Sequence, residues 1–135
     1  MYSIEQLPAI MIPLANKYYK THKVGGSASG NNIVMVARKN GNIVGIARLA
    51  PIQEHWFLTG VHVAESERGQ GIASQLIKAL CGQQPQVYSF PYQHLEAFYN
   101  NLGFTLMPPE QIPSEIAARF VAYSKQGRKI VAMIK

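Results

Sequence analysis

The sequence predicts a single α/β domain that spans residues 1–135. Runs rich in β-branched residues alternate with stretches whose apolar residues recur at helical spacing. An Asn-Gly pair at residues 40–41 lies between two of the β-prone runs, and this pair is the strongest short signal for a hairpin. A chain of 135 residues also has the usual size of one compact domain.

The composition is that of a globular protein with an excess of positive charge. Hydrophobic residues make up 47% of the chain, charged residues make up 15%, and the net charge is +6. This charge favours an anionic partner, and both nucleic acid and CoA qualify. Because the basic residues are scattered and form no continuous stripe, we expect a polyphosphate ligand and no nucleic-acid partner.

Targeting and membrane segments are not predicted. The sequence contains no run of about 18 apolar residues, and its first residues lack the basic and apolar regions of a secretory signal. We therefore expect a cytoplasmic protein without a membrane partner. Its sequence leaves open whether it is a monomer or a homodimer.

The first part of the chain predicts a strand, a helix and a loop. Residues 2–6 suit a short strand, and a helix then begins at Pro8 or at Pro13 and runs to about Lys20. The apolar residues at helical spacing are Ile10, Leu14, Tyr18 and Tyr19. Residues 25–32 are rich in Gly, Ser and Asn, which predicts a flexible loop that buries no apolar surface.

A hairpin, a third strand and a helix follow. Residues 33–38 and 43–49 are the two hairpin strands around the Asn-Gly turn, and residues 56–63 form a third β-prone run. The apolar period then changes, and residues 72–80 predict a helix.

Predicted strands and helices continue to alternate to the end of the sequence. The pattern predicts a strand at residues 87–90, a short helix at 95–102, a strand at 104–107, a helix from 113 to 127 and a last strand at 130–134.

The loop between the third strand and the second helix reads Arg68-Gly69-Gln70-Gly71-Ile72-Ala73-Ser74. Glycines let backbone N–H groups approach a ligand, and the first N–H groups of a helix lack internal partners. A pyrophosphate at this position would satisfy several donors at once. The loop ends in no Gly-Lys-Ser/Thr sequence and lacks the third glycine of a dinucleotide fingerprint. The alternative is a plain strand-to-helix turn with a surface arginine.

The loop resembles the signature of the GNAT superfamily of acyl-CoA N-acyltransferases, which is Gln or Arg, two residues, Gly, one residue, then Gly or Ala. Arg68, Gly71 and Ala73 match that signature. Residues 97–104 are similar to the second landmark of the family. The resemblance extends over about residues 33–104 and implies a mixed, mostly antiparallel, V-shaped central sheet flanked by helices.

Acetyl-CoA is the co-substrate that the resemblance implies, with a primary amine as the acceptor and direct attack in a ternary complex. Val61-His62-Val63 resembles the splayed family strand whose backbone pairs with pantetheine. The implied cofactor-binding residues are Val61, Val63, Arg68, Gly69, Gln70, Gly71, Ile72, Ala73 and Ser74. The alternative function is an acetyl-CoA sensor that regulates a partner protein without turnover.

Tyr99 is the candidate general acid, because by similarity it occupies the position whose phenol faces the CoA sulfur. A phenol with a pKa of about 10 can protonate or hydrogen-bond a thiolate. Tyr99 also lies beside Phe98 and Phe104, so its alternative role is that of a core aromatic. The backbone N–H of Val63 is a candidate to polarise the thioester carbonyl.

The general base is less well defined, because many relatives carry a glutamate where this chain has Phe57. His62 is the candidate that we name, since an imidazole can take an amine proton directly or through water. Glu54 and His55 lie nearby in the sequence, and water alone can also serve as the base. Tyr92 departs from the family pattern too, because relatives often have a pantetheine-contacting asparagine there.

No metal site is expected. The four histidines have no metal-like spacing, and Cys81, the single cysteine, lies in an apolar stretch that suits a structural role. Residues 25–32 and 108–113 are expected to border the acceptor site, since loops on a rigid scaffold usually determine specificity.

Overall fold

A computed structural model describes residues 2–135 and divides the chain into two compact units. The first unit runs to Ala50 and resumes over Leu58–Pro85, and the second comprises Pro51–Phe57 and Gln86–Lys135. Within residues 2–135, every helix is too short or too polar to cross a membrane.

The first unit contains strands that neighbour one another in chain order. They are β1 (Ser3–Leu7), β2 (Ile33–Lys39), β3 (Asn42–Ile52) and β4 (His55–Val63), with the tip of the β3–β4 hairpin assigned to the second unit. β1 pairs antiparallel with β2, and β2 pairs antiparallel with β3. Two helices complete this unit, α1 (Ile12–Thr21) and α2 (Ile72–Cys81).

Helix α1 begins at Ile12, so Pro13 lies in its first turn. Of the two predicted starts, Pro8 and Pro13, the structure agrees with Pro13. Of the four apolar residues at helical spacing, Tyr18 and Tyr19 are buried, whereas Ile10 is 86% exposed and Leu14 is 37% exposed. Ile10 precedes the helix, in a short 3-10 turn, so the helical spacing that groups it with Leu14 does not apply. The residues that α1 buries are Ile12, Ala15, Tyr18 and Tyr19.

The prediction that residues 25–32 bury no apolar surface is wrong at Ala28, which is buried in the core of the first unit. Asn16 of α1 holds this residue at two points. Its Nδ2 donates to the Ala28 carbonyl at 3.0 Å, and its Oδ1 accepts from the Ala28 N–H at 2.7 Å. The Asn16 side-chain amide therefore pairs with both the N–H and the carbonyl of Ala28, as a backbone peptide group does in a sheet.

The predicted hairpin is confirmed at β2 and β3. Asn40 and Gly41 both have positive φ, 54° and 79°, which is the conformation of the two-residue turn that Asn-Gly favours.

Helix α2 packs over β3 at Gly45, where a side chain would not fit. A Cβ at this position would lie 2.9 Å from Ile72 Cγ2 and 3.3 Å from Leu76 Cδ1. The absence of a side chain lets the start of α2 approach the sheet, and this approach determines where the helix N-terminus lies.

We expect Gly45→Ala to lower the free energy of unfolding by about 1–3 kcal/mol, because the added methyl overpacks the contact with Ile72. Urea denaturation measures the change. Gly25→Ala is the matched control, since an added Cβ there meets nothing within 4 Å. Equal stabilities of the two variants would show that α2 can shift without cost.

The second unit contains the remaining strands and helices. They are β5 (Val87–Ser89), α3 (Glu96–Asn101), β6 (Thr105–Leu106), α4 (Ser114–Lys125) and β7 (Met133–Ile134). β7 pairs antiparallel with both β5 and β6. The last strand is shorter than predicted, because Ile130 makes only an isolated bridge to Tyr92. The core of this unit contains Ile52, Phe57, Tyr88, Ile112, Ile116 and Ala132.

The α/β class with mostly antiparallel strands and flanking helices is thus confirmed. The predicted role of Cys81 agrees with its position on the buried side of α2.

Candidate functional site

A left-handed glycine begins helix α2. Gly71 is its N-cap residue, with φ of 80°, and no side chain caps this terminus. Gly69 has φ of 81°, so two of three consecutive residues adopt a conformation that other residues rarely take. The first N–H groups of the helix have no intrahelical partner, and they lie at its positive end.

Both glycines of this turn are exposed. A Cβ added at Gly69 or at Gly71 would meet nothing within 4 Å. Ile72 is buried and anchors the helix, whereas Ala73 and Ser74 are half-buried. The turn therefore presents backbone donors to a space that a pyrophosphate could occupy.

Tyr2 connects β1 to the segment that leads into this turn. Its hydroxyl lies 2.5 Å from Glu67 Oε1 and 2.7 Å from Gln70 Oε1. Lys39 adds an ion pair to Glu67 at 3.3 Å. The hydrogen bond from Tyr2, followed by the contact with Lys39, lowers the pKa of Glu67, and Glu67 in turn raises the pKa of Tyr2. No local sequence pattern predicts this network, because its members lie far apart in the chain.

Arg68 folds back onto β4. Its Nε donates to the Val63 carbonyl at 2.9 Å, and its Nη2 lies 3.4 Å from His62 Nε2. The side chain is otherwise exposed, so its charge lies at the surface beside the glycine turn.

His62 takes part in a short chain of hydrogen bonds. Its Nδ1 lies 2.9 Å from the Tyr18 hydroxyl, which in turn lies 3.4 Å from the Val44 carbonyl. A guanidinium can only donate, so Nε2 of His62 accepts from Arg68 and the ring hydrogen belongs on Nδ1. Nδ1–H then donates to Tyr18, and Tyr18 donates to Val44.

This arrangement favours the neutral imidazole. Burial is the main cause that lowers the pKa of His62, and the charges of His22 and Arg68 act in the same direction. The His22 ring lies 5.2 Å from the His62 ring and 4.2 Å from the Tyr18 ring, tilted by 33° to the latter. Burial also raises the pKa of Tyr18 to about 12, so its hydroxyl keeps its hydrogen at neutral pH.

Of the other residues considered as a base, His55 contacts side chains of the second unit. His55 forms an ion pair with Glu115 at 3.0 Å and meets the Tyr88 ring edge-on at 5.7 Å. Phe57, at the position where relatives carry glutamate, is buried against Phe90 with ring centroids 4.7 Å apart. Glu54 is exposed at the β3–β4 turn.

Tyr99 belongs to the second unit and lies on α3. It is 6% exposed, and its ring meets Phe98 and Phe104 edge-on at 5.4 Å and 5.5 Å. The aromatic packing that the sequence suggested is therefore present. Such packing is compatible with both roles considered for Tyr99.

Tyr92 lines an open groove of the second unit, with a volume of about 510 Å³. The groove is lined by Tyr92, Gln93, His94, Gln126, Gly127, Arg128 and Lys129. Arg128 lies 4.4 Å over the ring of Tyr123. Tyr92 is the position where relatives often have an asparagine, and the cations Arg128 and Lys129 line the same groove.

Residues 30–106, more than half of the chain, match a family model described as an acetyltransferase (GNAT) domain. A search of curated protein sequences finds no significant match.

Solved structures share the fold at low identity. Escherichia coli ElaA is 18% identical, with a TM-score of 0.71 over 100% of this chain and 99% of its own. Mycobacterium tuberculosis Rv2747, solved with CoA and a second ligand, is 16% identical, with a TM-score of 0.73 over 98% and 97% of the two chains.

N-acetylglutamate synthase from Neisseria gonorrhoeae, solved with coenzyme A and N-acetyl-glutamate, is 15% identical, with a TM-score of 0.73. The match includes 100% of this chain but 35% of the synthase, so the chain spans about a third of that protein.

Proposed function

The chain belongs to the GNAT acetyltransferase family, and we propose that it transfers an acetyl group from acetyl-CoA to a primary amine by direct attack in a ternary complex. The observation that carries this proposal is the uncapped start of α2, where Gly69 and Gly71 leave room for phosphates beside unpaired backbone donors. Structural neighbours solved with CoA support the choice of donor.

The residues of the turn would hold the pyrophosphate. Gly71, Ala73 and Ser74 would donate from the backbone, and Arg68 would contribute positive charge. Val61 and Val63 would pair with pantetheine through their backbones. Acetyl-CoA supplies the activated acetyl group as a thioester, and the N–H of Val63 would polarise its carbonyl.

His62 would accept the proton of the attacking amine at Nε2. The contact between this nitrogen and Arg68 is long, 3.4 Å, so an anion at the turn would draw the guanidinium away and free the lone pair. Tyr18 and Val44 would keep the ring oriented through Nδ1. Tyr99 would donate a proton to the departing sulfur.

We expect the acid limb of the kcat/KM profile to have its midpoint below pH 6.5, because the pKa of His62 is lowered and the base is lost only as pH falls through that value. His62→Asn should remove this limb and lower kcat/KM at neutral pH by about 10²–10⁴-fold. Steady-state kinetics from pH 5 to 9 measure both effects.

His22→Asn gives a directional control. The charge of His22 is one cause of the lowered pKa of His62, so its removal should move the acid limb upward, toward pH 6.5. An acid limb that is unchanged in His62→Asn would assign the base to another residue or to water.

The second candidate function is an acetyl-CoA sensor without turnover. It is favoured by Phe57, whose burial in an aromatic cluster leaves no carboxylate at the position where relatives carry one. Mass spectrometry of the protein with acetyl-CoA and a panel of amines, polyamines and peptides separates the two functions. Free CoA and an acetylated product establish transfer, whereas tight acetyl-CoA binding without any product across the panel supports the sensor.

A further inference from the structure

Arg48 is a buried cation of the first unit, and it takes part in none of the ion pairs found among residues 2–135. It lies on β3 and is 7% exposed. Its Nε and Nη1 are buried, and no residue in the described part of the chain, 2–135, accepts a hydrogen bond from either atom. A guanidinium stays charged at all physiological pH values, and burial of such donors without acceptors is costly. A buried guanidinium with unpaired donors therefore requires an explanation, and ligand binding is one.

The guanidinium reaches across to the neighbouring strand at Gly60. A Cβ at Gly60 would lie 2.3 Å from Arg48 Nη1 and 2.4 Å from the Tyr19 hydroxyl, and Gly60 has φ of 64°. The ring of Tyr19 stacks against the guanidinium, with Cζ 5.0 Å from the ring centroid. The Tyr19 hydroxyl donates to the Gly60 carbonyl at 2.8 Å, and neither Nε nor Nη1 makes a hydrogen bond to its oxygen.

This position is close to the proposed reaction centre. Gly60 precedes His62 by two residues on β4, so their Cα atoms are at most about 7 Å apart. Both contact α1, Gly60 through Tyr19 and His62 through Tyr18. An acceptor whose amine meets His62 could therefore extend an anionic group to Arg48.

A short exposed segment covers the guanidinium on its other side. A Cβ at Gly26 would lie 3.2 Å from Arg48 Nη2. The segment is held at both ends, by the Val24 N–H bound to the Tyr19 carbonyl at 2.9 Å and by Asn16 bound to Ala28. Access of a ligand to Nη2 would therefore require movement of residues 25–27, which lie between these two anchors.

We infer that Arg48 binds a carboxylate of the acceptor, so that the acceptor class is an amine that carries a carboxylate, such as a free amino acid. This inference rests on the proposed function. A carboxylate matches the planar guanidinium and can take two of its N–H groups at once. Bound through Nη1 and Nη2, it would also supply the acceptor that Nη1 lacks.

Product binding tests the inference without turnover. Isothermal calorimetry with CoA present would compare N-acetyl-amino acids with their carboxamides, using small, acidic and long aliphatic side chains. We expect the wild type to bind at least one carboxylate about 10- to 100-fold more tightly than its carboxamide, as a charge-assisted bidentate contact predicts. Arg48→Gln should remove this preference, and Arg48→Lys should retain part of it.

Arg38→Gln is the matched control, since Arg38 forms an exposed ion pair with Glu5 on the neighbouring strand. It should keep the preference for the carboxylate. The inference is overturned if the wild type binds every carboxylate and its carboxamide equally, or binds neither, or if Arg48→Gln keeps the preference. If Arg48→Gln does not fold, Arg48→Lys and the wild-type comparison decide.

The amine panel keeps the two proposals separate. Acetylated products from amines without carboxylates, together with no carboxylate preference, would retain the transferase and reject the role of Arg48. Carboxylate binding lost in Arg48→Gln, with no acetylated product, would retain the anion site and reject transfer.

Discussion

Gly71→Glu is expected to raise the Kd for acetyl-CoA by at least about a hundredfold. The new side chain would fill the space beside the start of α2 and place a negative charge where the phosphates bind. Each lost bond between a backbone donor and a phosphate is worth about 1.5–3 kcal/mol, and every 1.4 kcal/mol is tenfold in Kd. Calorimetry with acetyl-CoA measures the loss, and the same titration with ATP tests selectivity.

Gly41→Glu is the control for backbone strain and charge. Gly41 has φ of 79° against 80° at Gly71, and an added Cβ at either position meets nothing within 4 Å. Both variants therefore bear a similar cost in stability, yet only Gly71→Glu should lose acetyl-CoA. Unchanged affinity in Gly71→Glu would place the ligand elsewhere, and tighter binding of ATP than of acetyl-CoA by the wild type would reject the donor assignment.

Tyr99→Phe is expected to lower kcat by about 10²–10⁴-fold, because it removes the phenol that would donate to the departing thiolate. Acetyl-CoA affinity and the melting temperature should change little, since the ring keeps its packing against Phe98 and Phe104. The loss should be smaller if water can replace the phenol. Single-turnover kinetics, in which the chemical step is limiting, give the relevant rate.

Tyr88→Phe is the matched substitution for this test. Tyr88 is a tyrosine of the second unit with the same 6% exposure as Tyr99, and its hydroxyl lies 3.5 Å from Gln86. It should retain the wild-type rate. A Tyr99→Phe enzyme that is as fast as the wild type would leave Tyr99 with only a packing role.

Local sequence signals determined most of the secondary structure and the candidate phosphate turn. Asn40-Gly41 gives its hairpin because both residues tolerate positive φ, a property of the two residues themselves. Gly69 and Gly71 lie at the start of α2 for a similar reason, and the change of apolar period marks the strand and helix on either side. These features depend on neighbours within a few positions, so the sequence is sufficient to predict them.

Tertiary structure decided which side chains meet. Ile10 and Leu14 are apolar yet exposed, because α1 begins after Ile10 and turns other residues inward. The contacts of Tyr18 with His62 and of Tyr2 with Glu67 join residues 44 and 65 positions apart, and no local pattern encodes such separations.

Arg48 is the clearest example of a residue whose surroundings the local sequence does not predict. In the sequence it is one polar residue in a β-prone run, and alternation alone would give it a solvent-facing position on a half-buried strand. Its burial follows from Tyr19 on α1, Gly60 on β4 and Gly26 in the loop, three elements that converge only in the folded chain. The sequence by itself determined the turn where the donor is proposed to bind. Only the fold could bury Arg48 on β3, next to the strand that leads into this turn, because burial depends on every element that packs around a residue.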